Sequence, residues 1–105
     1  MTIRADFFDV AYGIASPVLT VGNTVVTTTG ADYKGILVNL ATSGGTIVVY
    51  DNGLSASGLQ IDAFVATAAI KTRLESSFVV KAKNGISVSV TGTDSTATVF
   101  YAPKG

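Results

Sequence analysis

The chain has no cysteine, no histidine and no tryptophan among its 105 residues. Without cysteine there is no disulfide and no thiolate metal site. Without histidine the commonest general base and metal ligand is missing. Charge is also scarce. Asp, Glu, Lys and Arg make up 13% of the chain, against about 25% in an average soluble domain. Seven basic and seven acidic residues cancel, which leaves no gross footprint for nucleic acid. No apolar run approaches the ~18 residues of a membrane helix. Arg4 could open a secretion signal, but Asp6 and Asp9 interrupt the segment that should be apolar. The protein is therefore expected to be made and used without export by a standard signal.

Apolar residues reach 48% of the chain, with Thr, Ser and Gly filling most of the rest. A small domain has much surface to cover and few charges here to cover it. Two explanations stay open. The outside is a Thr/Ser-rich β surface, or other subunits cover much of it. The second is favoured, because a large exposed apolar area usually marks an interface.

The strongest pattern runs through residues 77–102. Phe78, Val80 and Ala82 alternate with Val79, Lys81 and Lys83, and Ile86, Val88 and Val90 alternate with Ser87, Ser89 and Thr91. Ala97, Val99 and Tyr101 follow a polar loop at 92–95. Period-two alternation broken by turn residues predicts an antiparallel meander with one buried face. A three-residue loop at Lys83-Asn84-Gly85 would pair Ala82 with Ile86 and keep the apolar residues on one face, with Gly85 at positive φ. Upstream, Ile36, Val38 and Leu40 share a face with Lys34. A Gly44-Gly45 turn would return the chain so that Leu40 meets Val49. Leu37 and Val48 fall on the second face, which suggests a strand pair covered on both sides. Residues 18–21 and 24–29 read as strands separated by Gly22-Asn23. Residues 59–66 and 68–74 read as two more, with Glu75-Ser76 leading into the meander. Pro103 stops the last strand. Eight or nine short strands with Gly and Asn turns predict an all-β fold, an antiparallel β-sandwich that is jelly-roll-like. Residues 17–105 form its single domain. Residues 1–16 fit both strand and helix periods and are either a first element or an arm that reaches a neighbouring subunit, with Phe7, Phe8 and Tyr12 as the candidate contacts.

No constellation for chemistry stands out. Asp51, Asp62 and Asp94 fall in or near loops, but seven acidic residues always offer pairs. Serines lack a histidine partner and a Gly-x-Ser-x-Gly elbow. Gly44-Gly45 has no following lysine or helix to cradle phosphate. Asp51-Asn52-Gly53 reads as a turn whose side chains bond their own backbone, and has only fragments of a calcium loop. The chain is thus expected not to be an enzyme and to use no cofactor and no metal. Four of the seven cations, Lys71, Arg73, Lys81 and Lys83, are expected on the outward faces of two successive strands. That row is either a solvated strand face or lysines that guard a sheet edge, or else a contact face for an acidic protein surface or a phosphate backbone. The solvated face or guard is favoured, because no aromatics interleave with the cations as a binder of single-stranded nucleic acid requires.

Several stretches together resemble the small all-β capsid decoration, or cement, proteins of tailed bacteriophages. They are the aromatic N-terminal segment, the Lys34-Gly35-Ile36 to Val49-Tyr50-Asp51 region, the Ser55-Ala56-Ser57-Gly58 loop, and the Asn84-Gly85 to Val99-Phe100-Tyr101 ending. The resemblance is one of style and carries no diagnostic motif. It implies a homo-oligomer, a trimer or dimer, that binds the major capsid protein lattice at the virion surface and stabilises the shell. It implies no catalytic residue, no nucleic acid and no membrane, and synthesis in the host cytoplasm. Another phage component, such as a tail or fibre part, and a small carbohydrate- or peptide-binding module remain the alternatives.

Overall fold

Alternating aliphatic and hydroxyl residues build strands because β-branched side chains pack well on a pleated, half-buried surface. The computed structural model describes residues 14–40 and 44–103, with the backbone alone at 73–79. Among these residues eight strands form: β1 (Ile14–Ala15), β2 (Gly22–Thr27), β3 (Ala31–Leu40), β4 (Gly45–Tyr50), β5 (Gln60–Ala66), β6 (Ile70–Ala82), β7 (Ile86–Thr91) and β8 (Thr96–Pro103). They make two antiparallel four-stranded sheets, ordered β1-β8-β3-β6 and β2-β7-β4-β5. The pairs β1·β8, β2·β7, β3·β6 and β4·β5 nest inside one another. A long antiparallel ribbon folded over into two layers gives this order, which is the jelly roll.

The all-β sandwich predicted from the sequence is therefore present, but its local pairings are not those expected. β6, β7 and β8 do not form a meander, because β7 belongs to the other sheet. Likewise β3 and β4 lie in different sheets, so Gly44-Gly45 closes no hairpin and Leu40 is not paired with Val49. In both places the chain crosses between layers. A hairpin and a cross-layer corner put the same alternate residues inside, so the period-two pattern fits either. The inward set itself is as read: Ala82, Ile86, Val88, Val90, Ala97 and Val99 are buried, with Ile36, Val38, Leu40, Ile47 and Val49. Each large aliphatic buried this way contributes roughly 1.5–3 kcal/mol.

Three further corrections concern strand limits and parity. Glu75-Ser76 does not divide two strands, since β6 is one strand from Ile70 to Ala82, but its ladder with β3 is interrupted just there: Gly35 stands opposite Glu75 and Tyr33 opposite Val80, so residues 76–79 are passed over. Gly22-Asn23 opens β2 and does not separate two strands, while Leu19 makes an isolated bridge to Ala97. Lys34 does not share the inner face with Ile36. Tyr33 stands opposite Tyr101 and Gly35 opposite Phe100, so Lys34 is the extra residue of a β-bulge. Gly35 takes φ 144° there, which a glycine adopts without steric cost. The bulge reverses parity, and Tyr33 is buried instead of Lys34. Two other bulges, at Val26 and Ile61, also set an apolar residue against the core.

β1 is tied to β8 by Ser16 as well as by its ladder. The Ser16 amide donates to the Val99 carbonyl at 2.7 Å, and the Val99 amide donates to Ser16 Oγ at 2.9 Å. The loops at 16–21, 67–69 and 92–95 gather at one end of the sandwich. Those at 28–30, 51–59 and 83–85 gather at the other.

Candidate functional site

The two outer faces of the sandwich are chemically unlike, and the ladders show why. On the β1-β8-β3-β6 sheet, Asp32 stands between Ala102 and Lys81, Leu37 between Thr98 and Arg73, and Asn39 between Thr96 and Lys71. The Lys81 ammonium lies 3.8 Å from the Asp32 carboxylate, with the lysine largely in solvent. Lys71 and Lys83 are exposed. The candidate cations therefore do collect along one edge, but on one strand and the corner after it. The sequence reading had them on two successive strands. This follows from β6 being a single 13-residue strand. Arg73 is placed by its register only.

The outer face of the β2-β7-β4-β5 sheet has the opposite character. Its cross-strand rows read Asn23-Ser89-Val48-Ala63, Val25-Ser87-Tyr50-Gln60 and Thr91-Thr46-Val65. No position in these rows carries a charge. Val65 is 69% exposed and Val25 37% exposed, at the two edge strands of that sheet. Ser87 is buried because the 51–59 loop folds over it, and its hydroxyl donates to the Asn52 carbonyl at 2.6 Å. Leu37 and Val48, expected to share a doubly covered hairpin, are half-buried on the outer faces of different sheets.

The 51–59 loop is organised by its own side chains, as its composition predicts. Asn52 Oδ1 accepts from the Leu54 and Ser55 amides at 2.8 and 3.1 Å, and Asn52 Nδ2 donates to the Ser57 carbonyl at 3.0 Å. Asp51 reaches out of the loop instead, accepting from the Asn84 amide at 2.8 Å. Leu54 is held at the surface, 90% exposed. At the far end of the sandwich, Thr20, Val21 and residues 93–96 line an open groove of about 500 Å³. Asp94 sits in the turn beside it at φ 61°.

The three carboxylates weighed from the sequence act separately. Asp51 caps a corner, Asp94 sits in a turn at the other end, and Asp62 faces the interior opposite Val49. There Asp62 accepts a 2.6 Å hydrogen bond from the Tyr33 hydroxyl across the two sheets. Burial, followed by that hydrogen bond and the charge of Asp62, pushes the Tyr33 phenol far above its ordinary value. The pair is missed from the sequence because the bulge hides the inward turn of Tyr33, and because its partner is 29 positions away.

Phe7, Phe8 and Tyr12 lie outside the described residues. Among the described residues no three of His, Cys, Asp and Glu gather to hold a metal ion. No helix there is long and apolar enough to cross a membrane. No family model, curated protein or solved structure matches the chain.

Proposed function

We propose that the chain is a non-catalytic structural protein of a virus particle, a capsid decoration protein of the tailed-bacteriophage kind. In this reading it is a homo-oligomer that sits at the virion surface on the lattice of the major capsid protein and braces the shell. The observation that carries the proposal is the division of the surface. One sheet bears the charged strand residues other than Asp62, while the other presents rows of hydroxyl and aliphatic groups with none. A surface built this way suits coverage by protein on one side and solvent or an acidic surface on the other. The jelly roll is shared by viral capsid domains, lectins and cupins, so it is compatible with the proposal without selecting it.

The N-terminal arm, through Phe7, Phe8 and Tyr12, is assigned the contact with the shell or a neighbouring subunit. Lys71, Arg73, Lys81 and Lys83 form a second, basic contact row. Each contact is modest, and many copies on a lattice supply avidity. The test is co-sedimentation of the purified chain with bare phage shells. The expected result is saturable binding at hundreds of copies per shell. A full-length chain that leaves shells bare overturns the proposal, and a few copies per particle point to a tail or fibre part. Because Ser16 is bonded to Val99, the arm is best removed before Ile14. A chain lacking residues 1–13 should fold and lose binding, and retained binding removes the arm from the mechanism.

A further inference from the structure

We propose that Asn84 is a site of spontaneous deamidation, and that its conversion to aspartate or isoaspartate releases the root of the 51–59 loop. The inference is independent of the proposed function. An asparagine followed by glycine is prone to this reaction, because no side chain shields the following amide nitrogen. The chain has four asparagines, and two of them, Asn52 and Asn84, precede glycine. The other two, Asn23 and Asn39, lie within β2 and β3 and precede Thr24 and Leu40.

The structure separates two bonds that the sequence makes alike. Gly53 and Gly85 are both buried, so the following residue does not distinguish them. The side chains do. Asn52 Oδ1 accepts from the Leu54 and Ser55 amides, and its Nδ2 donates to the Ser57 carbonyl. To turn its amide carbon toward the Gly53 nitrogen, Asn52 must first give up all three bonds, which slows cyclisation at least about tenfold. Asn84 is exposed, and its side-chain amide makes no hydrogen bond among the described residues. Its main-chain N–H donates to Asp51 Oδ1 at 2.8 Å, which leaves the side chain to rotate. Asn84 borders an open hollow of about 310 Å³, where water, the other reactant, has access.

The reaction balances without oxidant or cofactor. The Gly85 nitrogen gives its proton to water and attacks Asn84 Cγ. The N–Cγ bond forms, the Cγ–Nδ2 bond breaks, and Nδ2 takes up a proton and leaves as ammonia. Water then opens the cyclic imide. Cleavage at Cγ gives aspartate, and cleavage at the main-chain carbonyl gives isoaspartate, with one extra carbon in the backbone. Either product sets a carboxylate close to Asp51, the group that accepts from the Asn84 amide, and like charges repel. The longer backbone of isoaspartate also finds no space at this corner. A carbon added on Gly85 would already stand 2.4 Å from the Thr27 carbonyl oxygen and 2.7 Å from Gly53 Cα. The bond from Asn84 to Asp51 ties the loop to the corner, and the modification breaks it.

The test incubates the full chain folded in buffer and, in parallel, unfolded in urea. Acidic species are resolved by isoelectric focusing and located by peptide mass spectrometry. In urea the two Asn-Gly bonds should react within about twofold of each other, because the folded constraints are gone. In the folded chain Asn84 should outpace Asn52 at least about tenfold. Asn84→Gln, whose longer side chain cyclises far more slowly, should remove the main acidic species and keep the fold. Asn52 reacting as fast as Asn84 in the folded chain overturns the inference. So does a folded chain that stays unmodified while the unfolded chain converts. The consequence is read on the purified deamidated chain, where amide exchange at Leu54 and Ser55 should rise at least about threefold. Unchanged exchange at those amides overturns the release of the loop.

Discussion

Replacing Tyr33 by Phe removes one hydroxyl from between the sheets and leaves Asp62 without its cross-sheet donor. Hydrogen bonds to charged groups contribute roughly 1.5–3 kcal/mol. Asp62 is only half-buried, so water recovers part of the loss and the lower value, about 1.5 kcal/mol, is expected. A domain of this length unfolds with an entropy near 2.1 cal/mol/K per residue, so Tm should fall by about 7 °C at neutral pH. Urea melts of Tyr33→Phe, Asp62→Ala and the double variant should show a coupling of at least about 1 kcal/mol, because the second change removes a bond already broken. The pair also has an alkaline signature. The unfolded chain ionises Tyr33 near pH 10.0, while the folded chain holds that proton to higher pH. Above pH 10 the folded state thus binds more protons, and the Tyr33 contribution, complete below pH 10, is lost as the pH rises. The slope approaches about 1.4 kcal/mol per pH unit. Between pH 10 and 11 the wild type should therefore lose most of its advantage over Tyr33→Phe. Equal melting temperatures at pH 7, or stability profiles that stay parallel through pH 11, would refute the reasoning.

Two more outcomes follow from the loop end that carries Leu54. In Gly85→Ala the new methyl would stand 2.4 Å from the Thr27 carbonyl oxygen and 2.7 Å from Gly53 Cα, at φ 128°. A loss of more than about 2 kcal/mol in a urea melt is expected, and a cost under about 0.5 kcal/mol would mean that the corner relaxes freely. Asn52→Ala deletes three hydrogen bonds of the 51–59 loop. Because the loop is exposed, stability should drop only by about 1 kcal/mol, while amide exchange at Leu54 and Ser55 should rise at least about tenfold. Unchanged exchange at those amides would show that the side chain does not hold the loop.

What the sequence discloses and conceals divides along a physical line. Ile86, Val88, Val90 and Val99 could be placed inside from alternation alone, since a strand shows alternate residues to opposite faces whatever it pairs with. For the same reason alternation could not tell the Asn84-Gly85 corner from a hairpin. Gly85 does take positive φ, as its turn chemistry required, but it steers the chain into the other layer. Lys34 was misplaced because it is itself the extra residue of the bulge before Gly35, which inverts the parity of the residues upstream of it. The cation row was visible because Lys71, Lys81 and Lys83 are close in sequence. The uncharged face was not, because its rows join residues from β2, β7, β4 and β5 that are neighbours only once the sheet order is known.

The nesting of the strand pairs also bears on how the molecule must form. Ile14 finds Tyr101, 87 positions away, whereas Gly45 finds Ala66 through one short connection. Closing a longer loop costs more chain entropy before any contact returns it, and folds dominated by distant pairings form slowly. The β4·β5 ladder is therefore the natural nucleus, with β3·β6, β2·β7 and β1·β8 added in that sequence. On the ribosome β1 has no ladder partner among the described strands until β8 has been made. Throughout synthesis the nascent chain exposes the Val- and Thr-rich edges that the finished sandwich pairs. A fold made this way is most vulnerable to aggregation in the interval before β8 emerges to pair with β1 and β3.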